Sequence, residues 1–341
     1  MTERSLQIAL SMLFAGVLAA CGSGSSEPSV PSPAPPPVPS PPPPPPPPPP
    51  ASDTLSTIKL PGFPHTIDVY AAAGATRAIV FLHGGAGNSC HMANSIGLNS
   101  GTCPATVTTI NWAWLAANHV LALFPQGQTF STTQAPNGFT WSNHAMNSGQ
   151  DDVAFLQTLS AYIRTQYGMT SVSLVGYSMG GTMANRMWCE SPNTFNAYVA
   201  IAGPASHYYT DPNTPCLPTR TMPYMGIIGS ADPIMQNFNA QGSLWAADLW
   251  TLNPVLTLSP SFLDPRVIGE WVQHGRRSSL RCGETPALNG GVVNGAVETW
   301  SNCGGDIIER LVDGADHSIA SIERFTTTPL RDSIAAFTQG R

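Results

Sequence analysis

The stretch from Val172 to Cys189 leaves the backbone little choice. Val172–Val175 reads as a short buried strand, and Thr182–Cys189 reads as a helix. Between them stands Gly176-Tyr177-Ser178-Met179-Gly180, so the path must change from extended to helical almost at one residue, Ser178. A turn that abrupt is strained, and glycines two positions to either side make room for it. A strand that feeds straight into a helix is part of a unit that builds parallel sheets with helices on both faces.

The same alternation recurs along the chain. Ala78–Leu82, Val120–Phe124, Tyr198–Ala202 and Tyr224–Ile228 read as further strands, Ile307–Val312 as a late one. Their near-continuous apolarity suits a parallel sheet covered on both faces. Asp152–Gln166 and Met179–Glu190 carry helical spacing, with Asp151 or Asp152 as a cap for the first and Gly168 as its stop. Leu330–Phe337 reads as a terminal helix. No internal repeat is visible. These elements predict a doubly wound, mostly parallel α/β sheet in a single domain, residues 52–341, long enough to bury a full core.

Residues 1–21 read as an export signal. Arg4 lies in a short polar start, Leu6–Leu18 is apolar but too short to span a bilayer, and small residues follow. Leu18-Ala19-Ala20-Cys21 is similar to a bacterial lipobox, which makes Cys21 the candidate lipidated N-terminus, with an ordinary cleaved signal as the alternative. Stable attachment takes more than one acyl chain. Residues 22–51 follow as a tether, in which seventeen of the chain's 34 prolines lie between Pro28 and Pro50. Proline fixes φ and removes a donor, so the tether should be an extended polyproline rod of roughly 70 Å at ~3.1 Å per residue.

Without Cys21, the cysteines form an even set: Cys90, Cys103, Cys189, Cys216, Cys282 and Cys303. Proximity favours pairing neighbours, Cys90–Cys103, Cys189–Cys216 and Cys282–Cys303, as expected in an oxidising compartment. No spacing suggests a zinc site, so neither metal nor other cofactor is expected. Charged residues are only 10% of the chain, Lys59 is the sole lysine and the formal charge is −6. That excludes an electrostatic footprint for nucleic acid and favours a small or uncharged ligand.

Serine at a strand–helix elbow is exposed above the sheet, but it needs a base held by an acid to act as a nucleophile. In such sheets the acid follows next in the chain and the histidine last. Asp232, just past Tyr224–Ile228, is the candidate acid, with Asp211 and Asp264 as rivals in Pro-rich loops. His317, in Asp313-Gly314-Ala315-Asp316-His317 after the late strand, is the candidate base, ahead of His274 and His207. Asp313 and Asp316 are expected to shape that loop. Oxyanion donors are expected at the amides of Gly85, in His83-Gly84-Gly85-Ala86-Gly87, and Met179, with Gly84 as the near alternative. His83 is expected to brace its loop. The pattern predicts acyl transfer through Ser178, His317 and Asp232.

With those residues in place, the domain resembles the polyhydroxybutyrate-depolymerase and feruloyl-esterase group of α/β-hydrolases. The resemblance runs over most of Ala78–Ser318: FLHGGAGN at Phe81–Asn88, DDVAFL at Asp151–Leu156, GYSMGGTMANRMWCESPNTFNAYVAIAG at Gly176–Gly203, IIGSADPIM at Ile227–Met235, and Trp271. It implies an α/β-hydrolase fold, a carboxylic-ester hydrolase and catalytic roles for Ser178, Asp232 and His317. The histidine loop reads GADHS where many relatives have G-G-H-x-W-P. Expected substrates are hydroxyalkanoate, feruloyl or related esters, small or polymeric. Trp141 is the preferred substrate contact, with Phe130, Phe139, Phe238, Trp245 and Trp250 also available for a pocket. A peptidase on the same scaffold and a non-catalytic envelope lipoprotein are the competing readings.

Overall fold

The computed structural model describes residues 48, 50–130, 138–210, 213–233, 265–287 and 290–341; of Phe130, His207, Thr210 and 265–272 it describes the backbone alone. The leader, Cys21, nearly all of the tether, Asp211, Phe238, Trp245, Trp250, Asp264 and the Trp271 side chain lie outside the described residues.

One sheet organises the domain. Its centre is parallel: β4 (Val120–Pro125), β3 (Arg77–Leu82), β7 (Ser171–Tyr177), β8 (Ala197–Ile201), β9 (Tyr224–Gly229) and β12 (Ile307–Val312), in that spatial order. Antiparallel strands extend both edges: β1 (Thr54–Lys59) and β2 (Thr66–Ala71) beside β4, and β11 (Val297–Asn302) and β10 (Val292–Asn294) beside β12. Strands β3, β4, β8 and β9 are buried along their whole length, as their unbroken apolar runs require. A separate short hairpin, β5 (Gln128–Phe130) with β6 (Gly138–Thr140), stands beyond the end of β4.

Helices cover both faces. On one face, α3 (Asp152–Gln166) contributes Phe155, Leu159 and Ile163, and α4 (Met179–Glu190) contributes Met183, Met187 and Trp188 to a core with Leu82, Leu123 and Leu174. The Asp151 side chain accepts from the Ala154 amide and caps α3, while Gly168 leaves it at φ 66°. The polar helix α5 (Pro265–Cys282) packs over β9 and β12. On the other face lie α1 (Ser89–Ser95), α2 (Trp112–Ala117), α6 (Ile319–Phe325) and α7 (Leu330–Thr338), joined to the sheet through Met92, Leu115, Ile322, Ile334 and Phe337. Buried Arg77 closes the end of α7, its guanidinium donating to Ala335 O at 3.0 Å and Thr338 Oγ1 at 2.9 Å.

Three disulfides join Cys90 to Cys103, Cys189 to Cys216 and Cys282 to Cys303, the pairing that sequence proximity favours. Each ties a helix to a nearby loop or turn.

Candidate active site

Strand β7 ends at Tyr177 and α4 begins at Met179, so Ser178 alone makes the turn, at φ 51°, ψ −118°. No β-carbon is comfortable there, and the surrounding hydrogen bonds hold it: Ser178 N donates to Ile201 O at 2.8 Å, and Ser178 O accepts from Thr182 N at 3.0 Å. The turn is crowded. A Cβ on Gly176 would fall 1.9 Å from Gly180 O, and one on Gly203 would fall 2.2 Å from Ser178 O. The glycines are there because backbone passes backbone at contact distance.

Asp232 follows β9 by three residues, and His317 follows β12 by five. The structure brings both to Ser178. His317 Nε2 lies 2.9 Å from Ser178 Oγ, and His317 Nδ1 lies 2.7 Å from Asp232 Oδ2. An ionised carboxylate only accepts, so Nδ1–H donates to Asp232, and Nε2 is left with its lone pair towards the serine hydroxyl. Asp232 is fully buried while His317 is partly open. The remaining acids of the loop shape it. Asp313 Oδ1 accepts from Ser230 Oγ at 2.9 Å. Asp316 Oδ1 accepts from the amide and the hydroxyl of Ser318, both at 2.7 Å, which fixes the residue after the histidine as the cap of α6. Those two bonds hold the Asp316 carboxyl below its usual range. Tyr177 lies under the histidine, ring centroids 5.4 Å apart, and burial together with Asp232 and Asp316 pushes its phenol up to about 12.

The glycine loop after β3 packs directly against the elbow. A Cβ on Gly84 would lie 3.0 Å from Ser178 Cβ, and one on Gly85 would lie 3.1 Å from Met179 Cγ. Among the described residues, the amides of Gly85 and Met179 have no protein acceptor. His83 braces this loop. Its Nε2 accepts from Gly127 N at 2.9 Å, so the proton sits on Nδ1 and is donated to Gly84 O at 2.7 Å. Burial lowers the imidazole to about 4, which keeps it neutral and keeps that tautomer.

Trp141 requires a correction. It is fully buried and packs in the core, and its indole N–H donates to His83 O at 2.9 Å. A ring with no exposed surface cannot meet a substrate. Its task is to hold the carbonyl two residues before Gly85.

The residues next to it act in the same way and were not foreseen. Asn143, also fully buried, donates from Nδ2 to Met179 O at 2.8 Å while its Oδ1 accepts from the Ala145 and Met146 amides. Between the two, Ser142 N donates to Asp152 Oδ2 at 2.5 Å. Asp152 therefore does not cap α3. It is buried, accepts from Ser148 Oγ at 2.7 Å, and pairs with His65 Nε2 at 2.8 Å, whose ring stacks on Phe155 with centroids 3.8 Å apart. Trp141–Asn143 thus pins the glycine loop with one side chain and the start of α4 with another. No local pattern announces this, because Asn143 and Met179 are 36 residues apart.

Of the rival bases, His274 is buried in α5 and bonded through Nε2 to Asn302 Oδ1 at 2.8 Å, which leaves that nitrogen occupied. Half-buried His144 stacks on Tyr208 with centroids 3.9 Å apart and reaches Glu190 at 2.5 Å.

No family model matches the chain, and no curated protein does. Solved structures do. The chain is similar to an acetyl xylan esterase from Aspergillus awamori, with TM-score 0.52 and 13% identity over 83% of this chain and 99% of that one. A feruloyl esterase module from Clostridium thermocellum aligns with TM-score 0.45 and 11% identity over 85% of this chain and 89% of that one. An S-formylglutathione hydrolase from Agrobacterium tumefaciens aligns with TM-score 0.44 and 12% identity over 84% and 94%. Strand order, crossover pattern and the first of these likenesses define the fold: this chain has the α/β-hydrolase fold.

Proposed function

We propose that this protein is a serine carboxylic-ester hydrolase working through an acyl-enzyme. The observation that carries the reading is the unbroken line Ser178 Oγ, His317, Asp232, with bonds of 2.9 and 2.7 Å. Ser178 Oγ attacks the ester carbonyl as its proton passes to His317 Nε2. Asp232 stabilises the imidazolium and fixes its orientation. The amides of Gly85 and Met179, the latter at the head of α4, receive the developing oxyanion. Collapse expels the alcohol, which takes the proton from Nε2, and water activated by the same nitrogen then releases the acid. No cofactor enters these steps.

The substrates we propose are hydroxyalkanoate, feruloyl or related esters, on the resemblance of the elbow segment Gly176–Gly203 and the acid segment Ile227–Met235 to depolymerases and feruloyl esterases. The acetyl xylan esterase whose fold this chain shares agrees with an ester as substrate. We also propose export, lipidation at Cys21 and a proline tether. The three disulfides support an oxidising compartment.

The test is hydrolysis of p-nitrophenyl esters of rising chain length by the intact protein and by Ser178→Ala. Turnover by the wild type and its loss in the variant are expected, and equal rates for both refute the reading. Methyl ferulate, hydroxybutyrate oligomers and an aromatic polyester then rank the substrate classes.

A further inference from the structure

Ala202, just past the end of β8, shares the positive φ of its neighbour across the sheet, 46° against 51° at Ser178. The two residues lean on the same atoms. Ser178 N donates to Ile201 O, and a Cβ on Gly203 would meet Ser178 O at 2.2 Å and Gly181 Cα at 2.6 Å. Strained backbone of this kind persists only where its surroundings fix it. Asn185, buried on the second turn of α4, does the fixing. Its Nδ2 donates to Gly203 O at 2.9 Å and to Gly181 O at 3.1 Å, so one amide ties the turn after β8 to the first turn of α4. Its other polar atom, Oδ1, accepts from Nη2 of Arg277. Carbonyls only accept and a guanidinium only donates, so these neighbours settle which way the amide faces.

Arg277 comes from α5, 92 residues further along the chain, and it too is buried. Its guanidinium lies over the Tyr224 ring at the start of β9, 3.7 Å from the centroid, and takes the ring's negative face. Burying a cation costs free energy that an apolar helix residue would not incur. What the cation contributes is a stronger bond. A charge-assisted hydrogen bond to Oδ1 polarises the amide, so that Nδ2 holds both glycine carbonyls more firmly. We infer that Arg277 is a positioning residue for the reaction: through Asn185 it fixes the turn that carries Ser178 and the Met179 amide. The inference rests on the serine-hydrolase reading above and adds to it a residue that acts at one remove from the chemistry.

The test is steady-state hydrolysis of p-nitrophenyl acetate by the full chain, with kcat expressed per serine labelled by a fluorophosphonate. Arg277→Met, which keeps the length and removes the donor, should lower kcat about tenfold and leave KM within about twofold. Arg277→Lys can still donate to Asn185 Oδ1 and should stay within about threefold of the wild type. Asn185→Ala should match Arg277→Met. The double variant should lose about tenfold in total, not about a hundredfold, because both substitutions break one chain of bonds. A structural role alone would lower the melting temperature and the yield of labelled serine, with kcat per labelled serine unchanged. Asn185→Ala decides the question where Arg277→Met does not fold. A kcat within about twofold of the wild type in both single variants, losses that multiply in the double variant, or Arg277→Lys as slow as Arg277→Met would each overturn the inference. No turnover by the wild type would overturn the esterase reading with it; wild-type turnover that the variants keep overturns this inference alone.

Discussion

Replacing Asn143 by alanine separates two things the side chain does. Its Oδ1 accepts from Ala145 N at 3.0 Å and Met146 N at 2.8 Å, and its Nδ2 donates to Met179 O at 2.8 Å; the Asn143 side chain is buried and its partners half-buried. Truncation leaves two half-buried amides and one half-buried carbonyl without this partner. At about 1 kcal/mol each, the loss of stability should be about 3 kcal/mol. The carbonyl of Met179 lies one peptide beyond the amide assigned to the oxyanion, so freeing it lets the first turn of α4 shift. Deleting an oxyanion donor outright lowers kcat by about 10²–10³; displacing one should cost about tenfold, or about 1.4 kcal/mol. The assay is steady-state hydrolysis of a soluble p-nitrophenyl ester, normalised by end-point labelling of Ser178 with a fluorophosphonate. Normalisation removes any effect of misfolded protein. We expect kcat to fall about tenfold with KM nearly unchanged, because the bond is made to the transition-state machinery and not to the ground-state ester. A kcat per labelled serine within about twofold of the wild type, even with a lowered melting temperature, would show Asn143 to be structural only.

Acid should destabilise the fold through two histidines. Burial lowers both His83 and His274 to about 4, against an ordinary 6.5. Both are neutral in the native protein and take up protons more readily when it unfolds, so stability is complete above about pH 6.5 and falls as pH drops towards 4. Each shift is worth at most about 3 kcal/mol. Melting temperatures measured between pH 7.5 and 4 should fall steeply, and less so in His83→Asn; a flat profile above pH 4.5 contradicts the assignment. Gly203→Ala brings a methyl group to 2.2 Å from Ser178 O, where only backbone can yield. Expected results are insoluble protein or a melting temperature lowered by roughly 10 °C or more, and a soluble, fully active variant would show that β8 and the elbow are less closely packed than this.

What the sequence reveals is uneven, for physical reasons. Strands β3, β4, β7, β8 and β9 are legible because burial on both faces leaves mostly apolar side chains, and Asp152–Gln166 is legible because a one-sided helix shows its period. Strands β1 and β10 form the sheet's edges and β11 lies next to one of them, where exposed positions such as Val292 and Val293 break any simple pattern, so they pass for loop. Helix α5 hides in a run of Arg, Gln, His and Ser. Asp152 looks like a cap because caps are acidic, yet its neighbour Asp151 takes that post and Asp152 turns inward to His65. Trp141 reads as a substrate contact because it lies in the loop after Val120–Phe124; the direction of a side chain is not encoded in that position, and its indole points to His83.

Ser178, Asp232 and His317 obey a simpler rule, set by the sheet itself. Parallel strands stand about 4.8 Å apart, so a residue that follows β9 or β12 starts roughly 10 or 14 Å from one that follows β7. The ladders run in register to the same rim, with Ile201 beside Tyr177 and Ile227, and Val312 beside Gly229. The loop must therefore lengthen with the distance it has to lean back. Ser178 follows its strand at once, Asp232 comes after three residues and His317 after five. The middle residue, buried and carrying the carboxylate, fills the gap the outermost one must cross. That ordering explains why serine, acid and histidine, up to 139 positions apart, meet within 2.9 Å. It also explains why a histidine on the face of a helix, such as His274, does not take the place of one on a rim loop: it has no loop to bring it there.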